Sequence, residues 1–405
     1  MRLLNVHIVE QEALKDLHIA EGRIAAISSV GASPSAGPSS PADQGPSSPA
    51  EAPLAPLTLS FENAIALPGL INSHDHLDFD LFPRLGNRIY SSYTEWGSDI
   101  HQSNKENIAS VLRIPRELRI RWGIYKNLLG GVTSVIHHGA YLATPQDLIS
   151  ISQNAESLHS ISGEKGWRRK LLHPFRRQRQ MVIHIGEGTT PACSKEISEL
   201  IRWNIFGRPL IGIHGIAMSE KQAAAFEALV WCPDSNFFLY GKTADIQQLR
   251  RRTTIVFGTD STLTASWDIW QQLRLARELK MTDDTALWEM ATAGPARLWG
   301  LDQCGEIAEG RTADLVIAAR TPGTTGWNAV FGVKPRDILL VLHQGNIRLF
   351  DESLRDQLTN PEYLIKDFHP IAIDGKIKYI QGDLPGLMQE IQTYRPDASF
   401  PVTAI

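Results

Sequence analysis

The chain has 405 residues, 42% hydrophobic and 21% charged, the balance of a globular protein with a sizeable buried core. Forty Lys and Arg against 44 Asp and Glu leave a net charge of −4, which argues against a protein built around nucleic acid or an acidic membrane surface. Cys193, Cys232 and Cys304 are far apart with no CxxC, which excludes a disulfide framework or a cysteine-built zinc module and fits a reducing compartment. No apolar run nears the roughly 18 residues of a membrane helix, and MRLLNVHIVEQEALKD has no apolar signal core. A cytoplasmic protein without a membrane partner is therefore expected.

Residues 1–30 alternate in short runs, with a turn at Glu21-Gly22-Arg23, and read as a small β unit. Residues 31–57 are dominated by Pro, Ser, Ala and Gly and read as a disordered insertion, because such a segment buries too little to offset its ordering entropy. From Ala66 the texture changes. ALPGLINSH, GVTSVIHHG, QMVIHIGEG, PLIGIHG, ALVWCP and TTIVFGTDS are strand-like. RIPRELRIRWGIYKNLLG, SKEISELIRWNIFG and SWDIWQQLRLARELK carry the 3.6-residue apolar period. His184 to His214 spans 30 residues and Cys232 to Asp260 spans 28, about one βα unit each. Residues 67–303 thus predict an α/β fold, a (β/α)8 TIM barrel. Strands three and four, within 145–175, are not legible. The β texture returns over 304–350, so residues 1–66 and 304–350 are expected to form a small β-sandwich from both chain ends. Residues 351–405, rich in Pro, read as an irregular tail with one helix near Leu384–Tyr394.

His74-Asp75-His76 follows the apolar strand LPGLINS. Residues i and i+2 of a strand share a face, so the two imidazoles can ligate one metal ion. A lone HxH among 13 His is more often coincidence than ligand. Repeated context changes that reading. His184 ends the strand MVI, His214 ends LIGI, and Asp260 ends TTIVFGT, each at the C-terminal end where barrel active sites form. Histidines and a carboxylate around an open position describe a catalytic metal rather than a structural one.

These segments resemble the amidohydrolase superfamily, and within it the mononuclear group of guanine, cytosine and adenosyl-nucleoside deaminases, triazine hydrolases and imidazolonepropionase. The resemblance rests on PGLINSHDH, HIGEG, IHG, CPDSN, GTDS, ATAGPARLWGL and GEIAEGRTADLVI. It implies that His74, His76, His184 and Asp260 hold one divalent metal, with Zn²⁺ expected and Fe²⁺ compatible with the same donors. It makes Glu187 the proton shuttle and Asp260 a catalytic proton acceptor. His214 becomes a catalytic contact to the nucleophile or substrate. The implied chemistry is attack by metal-activated hydroxide on an sp² carbon bearing a nitrogen leaving group, with a proton delivered to that nitrogen. A binuclear site would need a carboxylated Lys closing strand four. Only Lys165 and Lys170 precede MVIHIG, and both lie in a basic run, which favours one metal.

Other candidates surround this set. One of His137 and His138 must face the barrel mouth, and His138 is a candidate substrate contact. Trp96 and His101 are further substrate candidates, with Asp78, Arg84, Tyr93 and Tyr240 beside them as pocket or exposed-loop residues. Cys232 reads as packing. Residues 165–179, KGWRRKLLHPFRRQR, carry seven Lys or Arg and no acid, which reads as a solvated loop, an arm for an anionic substrate group, or a nucleic-acid patch. The expected activity is hydrolytic deamination of a small nitrogen heterocycle. The alternative on the same site is hydrolysis of cyclic or linear amides other than peptides. A small-molecule substrate and a possible homo-oligomer complete the expectation, and nucleic acid is disfavoured by the net charge.

Overall fold

The computed structural model describes residues 1–9, 13–30, 56–142, 147–358 and 367–405. Most of the expected insertion, residues 31–55, lies outside the described residues. The two chain ends meet in one ten-stranded mixed sheet. From one edge it runs Thr403–Ala404, Phe368–Ile373, Lys376–Gln381, Asn346–Asp351, Ile338–His343, Leu315–Ala319, Thr58–Pro68, Arg2–Ile8, Leu14–Ala20 and Arg23–Ser29. Arg2–Ile8 and Thr58–Pro68 pair in parallel, and the other ladders are antiparallel.

The tail departs from the irregular reading. Phe368–Ile373 and Lys376–Gln381 form a hairpin on this sheet, and the helix Leu384–Tyr394 follows. Asp374 and Gly375 both have positive φ, 46° and 78°, which matches the right-handed twist a two-residue hairpin turn requires. Glu21-Gly22 makes the same kind of turn, as its sequence suggests.

Between the chain ends lie eight parallel strands in two sheets. One sheet holds Leu70–Asp75, Val132–His137 and Ser150–Ser152. The other holds Glu156–Leu158, Met181–Ile185, Leu210–His214, Ala228–Trp231 and Thr254–Phe257. Helices Arg116–Leu129, Pro191–Trp203 and Ile269–Glu278 fall where the apolar period puts them. Ile136 of the smaller sheet packs in one buried cluster with Val182, Ile211, Ile213, Val230 and Val256 of the larger one. Met181, Ile183, Leu229 and Phe257 face the other way, into the cluster shared with the helices. This alternation gives each sheet an inner and an outer face. The last and first parallel strands approach closely. Asp260 N–H donates to the His74 carbonyl at 3.0 Å, and a Cβ on Gly258 would sit 2.8 Å from His74 Cβ. Only glycine fits that seam.

Candidate metal and catalytic site

The first, fifth, sixth and eighth parallel strands each deliver a ligand-type side chain near their C-terminal ends. His74 Nε2 lies 3.3 Å from His184 Nε2, and His76 Nε2 lies 3.4 Å from the same atom. Asp260 Oδ1 is 3.8 Å from His74 Nε2. Burial, reinforced by the neighbouring imidazoles, holds His74 and His184 well below the ordinary histidine pKa, so both are neutral at pH 7. His184 Nδ1–H donates to the His159 carbonyl at 2.9 Å. A carbonyl can only accept, so Nε2 of His184 carries a bare lone pair. The bare Nε2 of His184 and the Nε2 atoms of His74 and His76 thus converge beside a carboxylate, an arrangement that fits a cation.

His214 reaches this site by a backbone device. Ile211 and Ile213 face the inner cluster, so strict alternation would send His214 outward. Its φ of 69° breaks the alternation. Asn236 Oδ1 then accepts from His214 Nδ1 at 2.8 Å, which leaves Nε2 3.8 Å from Glu187 Oε1 and 3.9 Å from Asp260 Oδ2. Asp260 also has positive φ, 59°. His214 and Asp260 thus both hold a sparsely populated backbone region within one site, where their surroundings must fix them. Asp260 is held by the Ser261 N–H at 2.7 Å, the Ser235 hydroxyl at 2.8 Å and the Thr264 hydroxyl at 3.0 Å. Burial would raise its pKa, but His214, His76 and these donors outweigh burial and keep it below the ordinary value.

Glu187 behaves oppositely. Burial raises its pKa and outweighs the opposing pull of His214 and Tyr240. Tyr240 O–H donates to Glu187 Oε1 at 2.8 Å, and the Tyr93 N–H donates to the Glu187 carbonyl at 3.2 Å. The site therefore pairs an ionised carboxylate with one biased toward its acid form, the division of labour that acid–base catalysis requires.

The remaining candidates divide. His138 joins the site, its ring 4.6 Å from that of His184, with Nε2 2.9 Å from Ser157 Oγ. His137 turns away, its Nδ1 accepting from the Leu77 N–H at 3.3 Å. Trp96 donates its indole N–H to the Leu85 carbonyl and packs against the cluster that contains Tyr240. His101 is not brought to the site. It is exposed on the helix Tyr93–Ser103 and bonds the Gly97 carbonyl of its own helix at 2.7 Å. Asp78 pairs with Arg116 at 3.1 Å, and Arg84 pairs with Asp234 at 2.5 Å. Cys232 is buried, and burial pushes its thiol well above the ordinary range, as a packing role requires. Lys165 and Lys170 are exposed, and Lys170 pairs with Glu164. His159, not a lysine, follows the short strand Glu156–Leu158, with its ring 5.3 Å from that of His184. Sequence reasoning missed His159, Ser235, Asn236 and Thr264. The last three lie in or beside the CPDSN and GTDS motifs. His159 follows a strand of three residues, too short to show a period.

Residues 175–348 match the model of the amidohydrolase family. The 5-methylthioadenosine/S-adenosylhomocysteine deaminase of Desulfitobacterium hafniense is 24% identical over 351 residues, covering 70% of this chain and 78% of that protein. The zinc-bound crystal structure of an adenosine deaminase from Xanthomonas campestris superposes with a TM-score of 0.67 at 16% identity, over 98% of this chain and 97% of that one. The 5-methylcytosine deaminase of Klebsiella pneumoniae, liganded with 5-fluorocytosine, gives 0.62 at 18% identity, over 87% and 98%. These matches bear out the resemblance to the amidohydrolase superfamily. Among the described residues, no helix is long and apolar enough to cross a membrane.

Proposed function

We propose that the chain, as its likeness to the amidohydrolase superfamily implies, is a metal-dependent hydrolase of carbon–nitrogen bonds other than peptide bonds, and specifically a hydrolytic deaminase of a small nitrogen heterocycle. The observation that carries this reading is the convergence of His74, His76, His184 and Asp260 next to a second, buried carboxylate, Glu187. His74, His76, His184 and Asp260 would hold one divalent cation, with zinc expected. When bound, that cation supplies Lewis acidity and makes water at the site a nucleophile at neutral pH. Asp260, ionised and fixed by Ser235, Ser261 and Thr264, accepts the proton released by that water. Glu187, biased toward its acid form, holds a proton for the departing nitrogen, since an amine leaves poorly unless protonated. Tyr240 occupies Glu187 Oε1 and so leaves the other oxygen to the substrate. His214, fixed by Asn236, presents Nε2 to the space between the two carboxylates, where charge develops during attack. His138 and Trp96 are assigned to substrate binding. The three relatives named above are deaminases, which supports deamination over amide hydrolysis, and other similar solved structures are triazine hydrolases.

We infer further that the two parallel sheets are the halves of one (β/α)8 barrel over residues 67–303, supported by their shared inner cluster and the Gly258 seam. A second unit comprises residues 1–66 and 304–350, and the strands Phe368–Ile373, Lys376–Gln381 and Thr403–Ala404 of the tail extend its sheet. On one face of its sheet, Leu3, Leu17, Ile24, Leu59, Leu315 and Phe350 share a single buried cluster, which supports a sheet folded over itself as a sandwich.

The test is ammonia release by metal-loaded protein from aminopurines, aminopyrimidines, pterins and their nucleosides, with Glu187→Gln as the blank. A hit absent from the blank is expected. Silence across this panel, together with turnover of cyclic ureides or N-acyl compounds, would replace deamination with amide hydrolysis.

A further inference from the structure

The basic run 165–179 takes no part in the site. Strand ends put it elsewhere: Glu156 N–H bonds the Gln180 carbonyl, and Met181 N–H bonds the Pro209 carbonyl, both at strand N-termini. His184 and His214 stand at the opposite ends of these strands. Buried Arg208 ties the run to the 204–209 loop, donating to the carbonyls of Arg179 and Lys170 at 2.8 and 3.0 Å. Arg168 stacks over both Trp167 and Trp203. One surface thus joins the run to residues 202–208.

Its charge is not neutralised locally. Glu199 is taken by Arg168, Glu164 by Lys170, and Glu156 by both Arg208 and Arg176. Among the described residues, exposed Lys165, Arg169, Arg177 and Arg179 have no carboxylate partner. Apolar side chains stand out among them. Phe175 is 93% exposed, Ile205 70% and Phe206 48%. A solvated loop explains the cations but not three large exposed apolar side chains beside them. A nucleic-acid surface would use an aromatic ring for stacking but has no use for Ile205. Projecting apolar side chains on a surface that also carries exposed cations without a carboxylate partner match the interface of an anionic bilayer, where the apolar groups enter the headgroup boundary and the cations meet acidic headgroups.

We propose that residues 165–179, with the loop 204–207, dock the protein reversibly on anionic lipid surfaces while the site at the other strand ends stays open to solvent. The net charge of −4, which argues against such a partner for the chain as a whole, hides this local excess.

The test is co-sedimentation of the full chain with phosphatidylcholine vesicles, with and without an equal share of phosphatidylglycerol, and polyuridylate as competitor. Binding to the anionic vesicles only, weakening as salt is raised, is expected. Arg177→Gln should weaken it about fivefold. Phe175→Ser should weaken it at least about tenfold with charge unchanged. Circular dichroism of both variants guards against misfolding. Equal binding to both vesicle types would overturn the proposal. So would Phe175→Ser binding like the parent, or polyuridylate displacing the protein from the vesicles.

Discussion

Two buried polar arrays lie back to back on the strand Leu70–Asp75 and residues 76–80, and they solve opposite problems. On one side His74 and His76 meet His184 and Asp260, with ring nitrogens 3.3 and 3.4 Å apart and no side-chain cation between them among the described residues. On the other side Asp75 and Asp80 share Lys126, whose Nζ donates to Asp75 Oδ2 at 2.7 Å and to Asp80 Oδ1 at 3.0 Å. Asn72 and Asn127 add donors to Asp75. The second array brings its own cation. Burial, with Asp75 alongside, raises Asp80 well above the ordinary carboxyl range, and Lys126 opposes that rise. The first array has no such internal charge and so fits an external one. The difference separates a structural ion cluster from a ligand site, although both are buried, polar and adjacent in sequence.

His184→Ala breaks the first array most completely. Loss of bound metal and of turnover is expected, measured by elemental analysis and ammonia release, with the fold retained by circular dichroism. Glu187→Gln keeps every proposed ligand, so metal content should be unchanged while turnover falls about 10²–10⁴-fold. Retained turnover would remove the proton-shuttle role. Lys126→Met attacks the second array. It leaves two buried carboxyls without their cation and should cost about 3–5 kcal/mol in chemical denaturation, because an unpaired buried charge is expensive. The folded fraction should still bind metal, since Lys126 touches no proposed ligand. Asn236→Ala frees the His214 ring, and turnover should fall about 10–100-fold with metal content intact.

The two arrays were unequally legible in the sequence. His74, His76, His184 and Asp260 could be read because each closes an apolar strand. His214 could be read as a strand end, but its inward turn depends on a positive φ that alternation does not foretell. Lys126 and Asn127 sit on the helix Arg116–Leu129, where only the apolar period was visible, so the second array left no trace. Ser150–Ser152 and Glu156–Leu158 are three residues each, too short to carry a period, and they hid His159. His101 shows the opposite failure. A histidine near a site in sequence is satisfied by its own helix. The Asp374-Gly375 turn was the readable hairpin signal in the tail, and the surrounding prolines masked it.

Elemental analysis of the purified chain by inductively coupled plasma mass spectrometry tests the central claim most directly. One divalent ion per chain is predicted, kept in Glu187→Gln and absent from His184→Ala. A parent protein that stays metal-free after incubation with zinc, or a His184→Ala variant that binds as well as the parent, would contradict it.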